Sequence, residues 1–138
     1  MREIKFRGKR LDNGEWVYGS LVLSAKRVYI IELVDDTGTW AKSQRLLYAE
    51  VDPTTTGQHV GLGDKNDKEI YEGDIVRYHP EMNAGIGRVV YLGSGFYVTD
   101  EFNGLLDDFA VMGIEVIGNI HDNPGMVAEE FTPTEVSW

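Results

Sequence analysis

Along this chain, runs of alternating or β-branched residues are repeatedly cut off by glycine, proline or Asp/Asn pairs, and that punctuation leaves room for little except short strands. At the N-terminus Ile4, Phe6 and Gly8 alternate with Glu3, Lys5, Arg7 and Lys9. This is the two-residue period of a strand with one buried and one solvated face, so the cations Lys5, Arg7 and Lys9 are expected to line up outward. Asp12-Asn13-Gly14 comes next, and Asn-Gly between alternating segments is a strong hairpin signal because both residues accept positive φ. Trp16, Tyr18, Leu21 and Leu23 carry the return strand, Val28 to Val34 a third, and Asp35-Asp36-Thr37-Gly38 a turn. With a further strand around Arg45 to Val51, residues 1–52 form an expected N-terminal β meander.

Asp52-Pro53 interrupts the pattern, since proline fixes φ and denies its N–H to a ladder. Residues 53–73 are therefore expected to be a connector, with turn chemistry in Gly61 to Asn66. Glu69 to Asp74 leads into the run Ile75-Val76-Arg77-Tyr78; Gly87 to Leu92 and Gly95 to Thr99 make a second hairpin, and Ile114 to Ile120 a last strand. Over residues 74–122 this predicts a small barrel-like β unit of the Src-homology-3 kind. Helix is expected in one or two short pieces, at Asn103 to Met112, where Leu105, Leu106, Phe109 and Met112 recur at helical spacing, and more weakly at Thr39 to Leu47. Residues 123–138 are acidic and hold two prolines, Pro124 and Pro133, as a loosely held or oligomer-docked tail would. The fold class is mainly β, with α+β as the alternative.

At 138 residues the chain is long enough to bury a core without staples, and it has no cysteine; disulfides and thiolate metal sites are excluded, as suits a reducing cytoplasm. No stretch approaches the roughly 20 apolar residues of a membrane helix, so the expectation is a cytoplasmic protein with no membrane partner. The net charge is −10. The first fifty residues hold nine Lys/Arg against seven Asp/Glu and the remainder four against sixteen, about +2 and −12. Such acidity weighs against a general nucleic-acid binder, whose affinity comes from cations meeting phosphates.

Local chemistry is absent where it would have to be spelled out. His59, His79 and His121 are far apart in sequence and none sits in a metal-binding spacing. Asp64-Lys65-Asn66-Asp67-Lys68-Glu69 starts like a calcium loop, but Lys68 occupies the fifth position and the sixth is not glycine. Gly61-Leu62-Gly63 lacks the third glycine of a dinucleotide fingerprint, and Gly93-Ser94-Gly95 lacks the flanks of a nucleophile elbow. Asp35-Asp36, Asp100-Glu101 and Asp107-Asp108 are adjacent pairs, which a strand sends to opposite faces. No catalytic, cofactor or metal residue is assigned, and no enzyme is expected; the alternatives are a nucleic-acid-binding accessory protein using the N-terminal basic strand and a metal-dependent enzyme. The stripe Lys5, Arg7, Lys9 is the one basic cluster. It could meet phosphates, pair with an acidic neighbour, or guard an exposed strand edge. Trp16, Tyr18, Tyr29, Trp40, Tyr48 and Tyr71 could stack bases, with packing as the default.

Three stretches together resemble the YopX-like family of phage and prophage proteins: Ile4 to Lys9 with Asn13 to Gly19, Val51 to Val76, and Glu115 to Pro124. The central one, V-D-P-x-T-x-G-Q-x-x-G-L-x-D-K-N-x-K-E-I-Y-E-G-D-I-V, is the most specific. The resemblance implies a small phage-encoded homo-oligomer at work in the bacterial host cytoplasm, with a host or phage protein as partner, no cofactor, and no catalytic residue to carry over. Within the signature, Pro53, Gly57, Gly61 and Gly73 are suited to fixing turns, while Asp52, Asp64, Asn66 and Asp74 can accept turn N–H groups. Gln58, Glu69 and Tyr71 complete the set, with Gln58 and Tyr71 placed to join the two β units. Such a signature either shapes the fold or presents a surface to a partner.

Overall fold

The first four strands follow directly from alternation and turn chemistry: β1 (Phe6–Lys9), β2 (Trp16–Ser24), β3 (Arg27–Asp36) and β4 (Ser43–Val51) are joined as an antiparallel meander. These come from a computed structural model that describes residues 4–36, 43–78, 85–92, 95–99, 104–105 and 113–126. It divides into two units, Met1–His59 and Val60–Trp138. In the first, the strand order is β4-β3-β2-β1-β5, where β5 is Gly57–Gly63 and runs on into the second. The β1–β2 turn uses only Gly14 at positive φ (74°). Asn13 instead accepts the Glu15 N–H on its side chain at 2.9 Å, and a longer loop, closed by Arg10 N–H to Glu15 O at 2.9 Å, replaces the two-residue hairpin.

The meander curls so that the end of β4 reaches the end of β1. Arg10 bridges Val51, Leu11 N donates to Glu50 O at 3.1 Å, and Asp52 N donates to Lys9 O at 2.8 Å. Val51 is fully buried at this seam, and a Cβ on Gly8 would stand 2.9 Å from its Cγ2. Ile30 is also buried. Little else apolar is buried in this unit among the described residues.

The second unit is built differently. Its sheet has the order β10-β9-β8-β7-β11, from β7 (Asp74–Tyr78), β8 (Gly85–Leu92), β9 (Gly95–Thr99), β10 (Gly104–Leu105) and β11 (Ile114–Asn119), while β5 pairs with β6 (Glu69–Tyr71). Val60, Ile70, Val76, Val89, Val98, Ile114 and Val116 form one buried cluster, with Leu62, Tyr78 and Phe96 packed against it. Each such side chain contributes about 1.5–3 kcal/mol by leaving water. The register explains the cluster: Val76 faces Val116 across β7–β11, and Val89 faces Val98 across β8–β9.

The protein is mainly β, and among the described residues helix is confined to 3-10 turns at Pro53–Thr55 and Pro124–Met126. Three expectations change. Ser43 to Leu47 lies in β4, where unbroken pairing with β3 from Val51 to Ser43 overrides the helical spacing of Thr39 to Leu47. Gly104 and Leu105 are strand, paired with Val98 and Tyr97, so the helix expected over Asn103 to Met112 does not include them; residues 103 and 106–112 lie outside the described residues. The stretch 53–73, expected to be a connector, holds a 3-10 turn and both β5 and β6, and the division between the units falls inside it. Of the tail, residues 127–138 lie outside the described residues.

Candidate functional site

The signature aspartates hold turns. Asp52 caps the first 3-10 turn, where its Oδ1 accepts Thr54 N at 3.0 Å and Thr54 Oγ1 at 2.8 Å, and Pro53 occupies the helix start where no N–H is needed. Thr55 then carries the turn back to β1: its hydroxyl accepts Lys9 N at 2.9 Å and donates to Asp52 O at 2.7 Å. Asp74 is almost fully buried and its Oδ2 accepts Tyr71 N at 2.8 Å, closing the tight turn through Gly73, whose φ is +94°.

Asp64 does most. It is buried, and its carboxylate accepts three backbone N–H groups: Asn66 at 2.8 Å and Lys68 at 2.9 Å on Oδ1, and Val116, 52 residues along the chain, at 2.9 Å on Oδ2. Burial pushes its pKa up. The donors Val116, Lys68 and Asn66, with the Lys68 charge, outweigh that and hold it below the usual aspartate range. One side chain thus ties the β5–β6 hairpin to β11, joining the central and closing signature stretches, and Lys65 N to Ile114 O at 2.9 Å reinforces the join. The would-be calcium loop is this hairpin, closed by Asp64 N to Lys68 O at 2.8 Å with Asp67 at φ +62°.

Other signature residues take lesser parts. Asn66 is exposed and supplies a backbone donor to Asp64. Gly57 and Gln58 pair with Arg7 and Phe6 in the β1–β5 ladder, so Gly57 is a buried strand residue. Gly61 adopts φ +90° within β5. Tyr71 is buried, with its hydroxyl 3.2 Å from Glu69 Oε1.

The basic stripe needs a larger correction. β1 lies between β2 and β5, so it is no sheet edge. Arg7 is only 6% exposed, with its guanidinium carbon 4.7 Å from the centroid of the Trp16 ring, and Lys9 Nζ is 5.4 Å from the same ring. Both lie on one face of β1, as the alternation required, but β2 sets an indole against that face and takes Arg7 out of solvent. Cation–π contact stabilises this arrangement. Conversely Ile4, expected inside, is 68% exposed.

Sequence reasoning missed the apolar surface of β3 and β4. β2 pairs with β3 only as far as Ser20↔Ile31, whereas β3–β4 pairing continues to Asp36↔Ser43. Beyond Ile31 the hairpin is therefore a two-stranded ribbon. Leu33 and Leu46 are paired directly across it, each 61% exposed; Leu47 is exposed on the other face, and Tyr48, at 71%, packs edge-on against Tyr29. The signal was present in Leu46-Leu47-Tyr48, three consecutive large apolar residues where a half-solvated strand should alternate.

Among the described residues, no group of three His, Asp or Glu is placed to hold a metal ion, and no helix is long and apolar enough to cross a membrane. His59 is buried in β5 and His121 half-buried in the turn after β11; His79 and Trp40 lie outside the described residues.

A family model described as YopX protein matches residues 5–128. No curated protein matches. Among solved structures, the crystal structure of protein EF1440 from Enterococcus faecalis is similar, at 24% identity and a TM-score of 0.63, over 93% of this chain and 100% of that one. At that identity the likeness shows the fold alone.

Proposed function

Because the chain belongs to the YopX family, we propose that it is a non-enzymatic phage or prophage accessory protein that self-associates through its β3–β4 ribbon and, so assembled, binds another protein in the bacterial cytoplasm. The ribbon carries this proposal. Two strands alone are marginal in water, and this pair exposes Leu33, Leu46, Leu47 and Tyr48 rather than shielding them. The occupant proposed is a second copy. β4 ends the strand order of the first unit, and short of Glu50 and Val51, which Arg10 and Leu11 cover, it has no proline and Arg45 as its single cation, so that stretch has few of the usual guards of an edge strand. Antiparallel pairing of β4 with its own copy would set like faces together and give a closed two-fold dimer.

Size-exclusion chromatography with light scattering tests this. The expected mass at micromolar concentration is at least double the 15.5 kDa of one chain, falling to one chain on Leu46→Lys with Tyr48→Lys. A strictly monomeric wild-type protein would overturn it.

A further inference from the structure

Four Lys or Arg residues occur from residue 51 onward, Lys65, Lys68, Arg77 and Arg88, against sixteen Asp and Glu. In so acidic a stretch each cation should find a carboxylate. Arg88 finds none among the described residues: it is 6% exposed, and its Nε–H is buried with no acceptor. Burial pushes its pKa down. Burying a guanidinium N–H without an acceptor is costly.

Register places a second arginine beside it. Arg88 pairs with Ile75 and Arg77 with Ile86, so the two arginines project from the same face of neighbouring strands, opposite the face that carries Val76 and Val89 into the core. The Nε of Arg77 is also buried without an acceptor. Glu115, which pairs with Arg77 in the β7–β11 register, lies 3.6 Å from Arg77 Nη1 and 3.7 Å from Lys65 Nζ. Among the described residues this face therefore sets three cations against one carboxylate, which Lys65 and Arg77 share and Arg88 does not reach, an excess of about two charges. Arg77 and Glu115, with side chains 36% and 26% exposed, leave its margin open to solvent.

We propose that the face of the second sheet bearing Arg88 and Arg77 binds a dianionic phosphate group, free or carried by a small phosphomonoester, with Arg88 as the principal ligand and Arg77 and Lys65 beside it. A phosphate supplies several acceptor oxygens for guanidinium N–H groups, and its two negative charges match the excess counted among the described residues. This site belongs to the second unit and the β3–β4 ribbon to the first, and the proposal does not depend on the self-association proposed above.

The full chain is titrated with inorganic phosphate at constant ionic strength, held with sodium chloride, and followed by thermal unfolding and by the arginine Nε–H signals in nitrogen–proton NMR. The expected result is a saturable rise in melting temperature with a shift of the Arg88 Nε–H signal, reproduced by a phosphomonoester and not by acetate. Arg88→Met should weaken phosphate binding at least about tenfold, and Arg88→Lys, which keeps the charge and loses the fork, by less. Should the methionine variant fail to fold, the lysine variant and the wild-type NMR signal still decide. No saturable response, a response to acetate as strong as to phosphate, or stabilisation that survives Arg88→Met would each overturn the proposal.

Discussion

The two units spend the same kind of strand on different ends. In the second, β7, β8, β9 and β11 are short and their inward residues meet in one cluster, so that Ile70, Val76, Val89 and Val98 are all but inaccessible. In the first, β3 and β4 are nine or ten residues long, yet their outer halves expose leucine on both faces. Strand length alone does not make a core. A sheet needs a second layer over its apolar face, and the ribbon beyond Ile31 has none within the described chain. The second unit is therefore the place to look for intrinsic stability, and the first for association.

The contrast breaks most visibly at Ile70. Truncation to alanine in the second-unit cluster should cost about 3–4 kcal/mol, the range for a fully buried isoleucine, read as a lower midpoint in urea. A loss under about 1 kcal/mol would mean that the cluster is looser than its burial implies.

Asp64→Ala comes next, at about 2–3 kcal/mol, because it strands three backbone donors inside the hairpin and β11. The pH dependence has a definite sign. The folded carboxyl titrates below the usual aspartate range, so its contribution is fully present above the unfolded value of about 3.9 and is lost as pH falls through the lower folded value. The deficit of the variant, measured against wild type by urea unfolding, should be constant near neutrality and shrink below about pH 4. A deficit that grew with acid would overturn the assignment of Asp64 as an ionised acceptor.

Much of this architecture is legible in the chain itself. Every strand expected from alternation is present, and turn formation by Asp52, Asp64 and Asp74 follows from residue type. What was not legible depends on neighbours. That Arg7 is covered requires knowing that Trp16 stands across from Lys9 in the β1–β2 register. That Asp64 reaches Val116 requires a pairing across 52 residues. The split within 53–73 was hidden because Pro53 and four nearby glycines look like a linker, whereas here proline starts a 3-10 turn and Gly57, Gly61 and Gly63 lie inside a strand. Glycine marks close approach as readily as a break.

Gly8 shows this within the first unit and gives the third prediction. A methyl group there would stand 2.9 Å from the Val51 side chain, so Gly8→Ala should cost about 1–3 kcal/mol by overpacking the seam between β1 and β4. Adding Val51→Ala should recover part of that loss, a coupling that a double-mutant cycle reads directly. If the two changes were simply additive, the seam would not be the first unit's packed point and the contrast with the second would widen.

The smallest effect on stability is expected at the residue on which the proposed assembly most depends. Leu46 is 61% exposed opposite Leu33, so Leu46→Lys removes little buried area from a single chain and should change the stability of the monomer by no more than about 0.5 kcal/mol. In a dimer joined at β4 the same position is covered by its symmetry mate, and two lysines would face each other or a leucine. Unfolding of wild type should accordingly depend on protein concentration, and unfolding of Leu46→Lys should not. If Leu46→Lys instead unfolded like Ile70→Ala at every concentration, Leu46 would belong to the interior of its own chain, and the division between a self-sufficient second unit and a first unit completed by association would fail.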